Sequence, residues 1–148
     1  MRVTLPRNWS EEQLPPGMEA ADYLAIGPRG YLNCAPTVLV AHADDVELPL
    51  REWAEGVAEL SSQQYPTFHV LDTATMPIDG HDALVYLASF PTDGVNLTQM
   101  QFSLLGEIPG TGRARGYVIT TTCPTADFPT LADPLVEIAT SFRIEGES

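Results

Sequence analysis

The sequence predicts an α+β fold in which an antiparallel sheet of about six to seven strands carries two amphipathic helices. Segments rich in β-branched and aromatic residues alternate with turns rich in Gly, Pro, Asp and Asn. Two stretches, about 48–65 and 130–142, instead show helical periodicity. The 148 residues contain no internal repeat and no low-complexity linker, so a single domain spanning 1–148 is expected.

The first half of the chain predicts three strands. "RVTLP" near the start is typical of a short opening strand, and the loop after it carries Trp9 as a packing residue. "AADYLAIG" and "APTVLVAH" follow as two strands joined by "PRG", and the β-branched run of the second favours an extended conformation.

Two amphipathic helices are expected. In the first, Leu50, Trp53, Ala54, Val57 and Leu60 share one face, with Pro49 in the first turn and Pro66 beyond the end. In the second, apolar residues recur at helical spacing, namely Leu131, Leu135, Ile138, Ala139 and Phe142.

Four consecutive strands between the helices indicate a meander of hairpins. They are "TFHVLDTAT", "HDALVYLASF", "LTQMQFSLLGEI" and "GYVITTTC", separated by "PIDG", "PTDGVN" and "PGTGRAR". The last turn has closely spaced glycines, but a phosphate-binding loop lies between a strand and a helix, whereas a strand follows here. Gly110, Gly112 and Gly116 are therefore predicted to serve the positive φ angles of a hairpin loop.

Alternation in the third meander strand predicts a polar strip on the sheet. Gln99, Gln101 and Ser103 point to one face, and Thr120 and Thr122 of the next strand extend the strip if the register allows. We expect this face to be open. It serves either as a partner-contact surface or simply as the solvated side of the sheet.

The charge of the chain excludes several function classes. Twenty acidic residues against seven arginines give a net charge of −13, which repels nucleic acid and anionic lipid. The N-terminal segment has no apolar run of signal-peptide or membrane-span length, so a cytoplasmic location without membrane insertion is expected. Cys34 and Cys123 are then expected to be free thiols.

No catalytic or metal-binding motif is present. His42 in "HADD" and His81 in "DGHD" each neighbour carboxylates, but the spacing matches no zinc or calcium site. A shared site built from His42, His81 and Asp82 and a tuned histidine base remain alternatives. The sequence predicts no catalytic residues, no metal and no cofactor.

The order of these elements resembles the PsbP-like superfamily. The resemblance rests on "LPRNW", "NCAPTVLVAH", "MPIDGHDALVYLASF", "LTQMQFSLLGE", "RARGYVITTTCP" and "EIATSFRI", and it runs from Leu5 to Ile144. The chain is most similar to the bacterial branch with LpqN-type lipoproteins and Eag-type secretion chaperones. The resemblance implies an α/β/α sandwich without catalytic residues whose members bind other proteins. Unlike the LpqN type, this sequence shows no lipobox.

The leading hypothesis is a non-enzymatic protein-binding module, for example a chaperone or adaptor for a secreted or membrane-inserting protein, with the polar strip as its contact surface. Homodimer formation is left open. The alternative is a small-molecule or lipid carrier whose pocket is lined by aromatic residues, namely Trp53, Phe68, Tyr86 and Phe102.

Overall fold

The computed structural model describes residues 1–18, 20–65 and 67–144, and it confirms the predicted fold class. One seven-stranded antiparallel sheet carries a helix on each face. The strands are β1 (Ser10–Glu11), β2 (Ala21–Ile26), β3 (Thr37–Val46), β4 (His69–Ile78), β5 (His81–Thr92), β6 (Val95–Ile108) and β7 (Arg113–Pro124). The helices are α1 (Leu50–Gln64) and α2 (Phe128–Thr140), and short 3-10 turns lie at Tyr31–Asn33 and Thr125–Asp127.

The four-strand meander forms as predicted. The order across the sheet is β1-β2-β3-β7-β6-β5-β4, so the meander runs outward from β7 to the edge strand β4. Its tight turns place Asp79, Gly80, Asp93 and Gly94 at positive φ, the conformation that two-residue hairpin loops require. The β6–β7 loop likewise places Gly110 and Gly112 at φ angles of 76° and 69°.

Helix α1 crosses the sheet because the strands that it connects are far apart. β3 pairs with β7, whereas β4 lies four strand positions away at the edge. Four interstrand spacings amount to about 19 Å, and the 15 residues of α1 span about 22 Å. The connection therefore places α1 over β7, β6 and β5.

The main core lies on the opposite face of the sheet, under α2. Leu135, Ile138 and Ala139 of the helix are buried against alternate strand residues that include Val40 and Phe102. The N-terminal segment seals one side of this core, where the ring of Trp9 lies on the backbone of Gly27.

The predicted opening strand "RVTLP" does not join the sheet. It forms an isolated bridge between Arg2 and Arg143, and the amide of Thr4 donates to the hydroxyl of Ser141 at 2.9 Å. The segment instead packs Val3 and Leu5 against the core beside the end of α2. Its apolar residues are thus used in packing rather than in strand pairing.

Candidate partner-binding surface

The α1-side face of the sheet is only partly covered. In the central part of β3 and β7, residues that point toward α2 are completely buried, with Val38, Val40 and Ile119 at 0% exposure. Their neighbours in sequence point to the other face and are only half-buried. We call these residues the open patch: Thr37, Leu39, Ala41, Val118, Thr120 and Thr122.

The open patch is continuous because its residues face each other across the β3–β7 pairing. Thr37 pairs with Thr122, Leu39 with Thr120, and Ala41 with Val118. Directly opposed side chains in an antiparallel pair have Cβ atoms about 4.5–5.5 Å apart, so the six side chains form one surface. This surface combines methyl groups with hydroxyl groups and carries no charge.

The strip of Gln99, Gln101 and Ser103 does not lie open, which corrects the expectation from the sequence. These side chains are 8%, 5% and 2% exposed. β6 lies beneath α1, and the polar side chains are part of the interface between helix and sheet. The alternation of side chains along β6 was predicted correctly. Because the sandwich fold places helices over both faces of the sheet, the polar strip of β6 is internal.

Hydrogen bonds connect the covered strip to the open patch. Gln101 Nε2 donates to the hydroxyl of Ser61 in α1 at 2.7 Å and to Gln99 Oε1 at 2.9 Å. Gln99 Nε2 in turn donates to the hydroxyl of Thr122 at 3.2 Å. Of the five predicted strip residues, Thr120 and Thr122 thus lie in the open patch. Gln99, Gln101 and Ser103 lie beside it on the neighbouring strand β6 and are buried.

Trp53 fixes the start of α1 on β7. Its indole ring lies on Gly116, where an added Cβ would overlap the ring. Gly116 was predicted to be a turn residue, but it lies within β7, and its role is to let the ring approach the backbone. Helix, ring and open patch therefore adjoin one another on the same face.

The two histidines lie on separate strands and do not form a joint site. His42 of β3 contacts Asp22 Oδ2 through Nδ1 at 2.6 Å, whereas His81 begins β5, three strand positions away. That separation is roughly 14 Å. The buried Nδ1 of His81 has no hydrogen-bond partner in the described part of the chain. Nowhere in residues 1–18, 20–65 and 67–144 do three or more potential metal ligands cluster.

The four aromatic residues of the carrier hypothesis lie in different places. Phe102 is in the main core under α2, Tyr86 is under α1, and Phe68 packs on Phe90 in a third cluster. Trp53 covers Gly116. Because these residues occupy both faces of the sheet, they cannot line one pocket.

Burial affects two titratable groups near these surfaces. It raises the pKa of the Cys123 thiol to about 12, with a further contribution from Asp127 and a smaller one from Cys34. Burial also raises the pKa of Tyr86, and the nearby Glu55 adds to this effect. Both groups therefore stay protonated at neutral pH.

The two arginines of the β6–β7 hairpin form ion pairs. Arg113 pairs with Asp45 at 2.7 Å, and Arg115 pairs with Asp44 at 2.8 Å.

Comparison of this architecture with solved structures identifies its fold. LpqN of Mycobacterium tuberculosis, a protein involved in cell envelope biogenesis, superposes with a TM-score of 0.70 at 18% identity, over 93% of this chain and 78% of LpqN. PA94 of Pseudomonas aeruginosa, a protein of unknown function, gives 0.67 at 15% identity over 94% and 99%. Cyanobacterial PsbP of Synechocystis sp. PCC 6803 gives 0.61 at 8% identity over 95% and 84%.

The chain thus has the PsbP-like fold that the resemblance implied. No protein-family model matches its sequence, and a search of curated proteins finds no match. Neither helix in the described ranges has the length and apolar character needed to cross a membrane.

Proposed function

We propose that this chain is a non-catalytic protein-binding module whose contact surface is the open patch on β3 and β7. The observation that supports it is the contrast within two central strands. Val38, Val40 and Ile119 are at 0% exposure, and the side chains that alternate with them remain accessible to solvent. A central strand face that α1 covers only in part is a natural site for another chain.

The chemistry of the open patch favours a protein partner. Its six residues are uncharged in a chain of net charge −13, and depletion of charge is what distinguishes the core of a protein interface. Leu39, Ala41 and Val118 supply apolar area, and the threonines supply hydroxyl groups that accept or donate hydrogen bonds. The amide of Gln99, on the neighbouring strand β6, donates a hydrogen bond to the hydroxyl of Thr122.

The finer part of the proposal is a chaperone or adaptor role for a secreted or membrane-inserting protein. An uncharged patch of methyl and hydroxyl groups suits an apolar segment that contains small polar residues. The involvement of LpqN in cell envelope biogenesis supports a role of this kind in a protein with the same fold.

Site-specific photocrosslinking in the native cell tests the proposal. A benzophenone amino acid at Thr120 is compared with the same residue at Thr73, an exposed position of the edge strand β4. We expect a discrete crosslinked partner from position 120 and none from position 73. Identical adducts from both positions, or none from position 120, would contradict the proposal.

A pair of matched substitutions adds a second readout. Leu39→Asp places a charge in the open patch. Leu60→Asp places one on α1, at a side chain that the sequence assigned to the apolar face of the helix but that is 66% exposed in the structure. Leu39→Asp should abolish recovery of the crosslinked partner, while Leu60→Asp should leave it unchanged. Circular dichroism of both variants confirms that they are folded before the comparison is made.

A further inference from the structure

A second surface lies on the α2 side of the sheet. A cleft of about 520 Å³ separates the N-terminal segment from the loop after β2 and the first turns of α2. Its apolar lining consists of Pro6, Trp9, Pro28, Leu131 and Pro134. The volume falls within the range of pockets that hold organic ligands or large side chains. The cleft and the open patch lie on opposite faces of the sheet.

The loop beside the cleft has an unusual backbone conformation. Asp127 Oδ2 accepts a hydrogen bond from the amide of Tyr31 at 2.8 Å, and a Cβ at Gly30 would overlap the same carboxylate. Leu32 and Asn33 both have positive φ angles, 53° and 60°. A leucine rarely adopts this conformation, so the surrounding contacts impose it on the chain.

This conformation displays apolar side chains instead of burying them. Tyr31 and Leu32 directly follow the cleft residues Arg29 and Gly30, and they are 51% and 62% exposed. A small ligand held in the cleft would leave these neighbouring side chains in water. The surface as a whole therefore matches a larger occupant, because aromatic and aliphatic side chains at a rim are covered only by a macromolecule.

The charged side chains of the cleft are two carboxylates and one guanidinium, and the neutral side chains of Asn8 and Thr130 lie beside them. The carboxylates of Asp127 and Glu137 line it, while Arg29 donates through Nη1 to the carbonyl of Asn33 at 2.9 Å. Pro134 has no N–H, so the carbonyl of Thr130 lacks its usual helical donor at this wall. The two carboxylates outnumber the one guanidinium, and in a chain of net charge −13 this excess of negative charge favours a cationic ligand group.

We propose that the cleft and its rim, Tyr31 and Leu32, form a docking site for a segment of a partner protein in which a large apolar side chain adjoins Lys or Arg. The apolar side chain packs on Trp9 and Leu131. The cation lies by Glu137 and Asp127. This site is separate from the open patch and does not depend on it.

A random dodecapeptide library displayed on phage, selected on the full chain, provides the probe. We expect enrichment of peptides in which an aromatic or aliphatic residue adjoins Lys or Arg. Synthetic copies of these peptides should shift the amide resonances of Tyr31 and Leu32 and the indole resonance of Trp9. Failure to enrich any peptide, enrichment of acidic peptides, or shifts confined to the open patch would each overturn the proposal.

Two matched pairs of variants then locate the binding. Leu32→Ser should weaken the selected peptide about tenfold, whereas Leu60→Ser, with similar exposure on α1, should not. Glu137→Lys should weaken binding about fivefold, whereas Glu59→Lys on α1 should not. Equal effects within either pair would contradict the assignment, as would a dimer that Leu32→Ser dissociates, since the occupant would then be a second copy.

Discussion

Gln101 of the sheet donates a hydrogen bond of 2.7 Å to the hydroxyl of Ser61 in α1. A glutamine on a strand of alternating polarity is thus part of the contact between helix and sheet rather than of the solvent-facing surface. The same amide group reaches Gln99, which holds Thr122 of the open patch. A charge at Gln101 would consequently disturb the attachment of α1, so the binding surface is better tested at Thr120 and Leu39.

The Ser61–Gln101 contact should show measurable coupling. Ser61→Ala removes the acceptor from a buried donor, and we expect it to lower the free energy of unfolding by about 1 kcal/mol. In a double-mutant cycle with Gln101→Met, measured by urea denaturation, the coupling energy should be about 0.5–1.5 kcal/mol. Additive losses would show that the hydrogen bond contributes nothing to holding α1 on the sheet.

Gly116→Ala should destabilise the protein. The new methyl group would overlap the ring of Trp53, and displacing a packed indole costs about 1–3 kcal/mol in the free energy of unfolding. Gly56→Ala is the matched control, because a Cβ there meets nothing within 4 Å on the exposed side of α1. That change should stabilise the helix by about 0.5–1 kcal/mol. Similar effects at both positions would be inconsistent with the observed packing of Trp53.

The two thiols should differ in reactivity. Cys34 is half-buried and Cys123 is 1% exposed, and both are free in the structure. We expect the Cys34 thiol to react with Ellman's reagent in the native protein and the Cys123 thiol to react only after unfolding.

Reductant should leave the melting temperature unchanged, because no disulfide links the two cysteines. A disulfide would close a loop of about 90 residues and contribute roughly 4–5 kcal/mol, so a clear drop in melting temperature on reduction would refute free thiols and the predicted cytoplasmic location.

Alkaline conditions should destabilise the fold through Cys123. The folded state holds the thiol protonated with a pKa of about 12, while the unfolded chain releases the proton near the ordinary value of 9.0. The contribution of the neutral Cys123 thiol to the free energy of unfolding is therefore complete below pH 9, and it is lost as the pH rises from 9 toward 12.

The slope of unfolding free energy against pH measures this effect. Cys123→Ala should make the slope between pH 9 and 10 shallower, by up to about 1.4 kcal/mol per pH unit, and Cys34→Ala should leave it as in the parent protein. Comparing slopes rather than absolute stabilities removes the separate cost of the cavity that Cys123→Ala creates. Parallel slopes for parent and Cys123→Ala would argue against a buried neutral thiol.

Native mass spectrometry distinguishes the binding module from the carrier. Because Phe102, Tyr86 and Phe68 belong to three separate clusters, no shared pocket is available to them, and we expect the purified protein to show only the mass of its chain. A stoichiometric lipid or small-molecule adduct would favour the carrier hypothesis instead.

The sequence by itself determined most of the secondary structure of this protein; the exceptions are at its start, where "RVTLP" forms no sheet strand and the short strand β1 lies in the predicted loop. Helical periodicity located α1 and α2 to within a few residues, and Asp-Gly pairs located the turns at Asp79–Gly80 and Asp93–Gly94. These features depend on interactions between residues that are close in the chain. Residues 37–41 of β3 are uncharged, and Val38 and Leu39 are equally apolar although they point to opposite faces of the sheet. The local sequence therefore does not indicate which face of β3 stays accessible.

Only the tertiary structure decided which surface is free. The position of α1 follows from the pairing of β3 with β7, a contact between distant parts of the chain that sends the connection to β4 across three other strands. That route covers Gln99, Gln101 and Ser103 and leaves Thr120 and Thr122 accessible, although all five have similar polarity. Local sequence fixes which face of a strand a side chain occupies, whereas the order of strands and the route of the crossing helix fix what lies over that face.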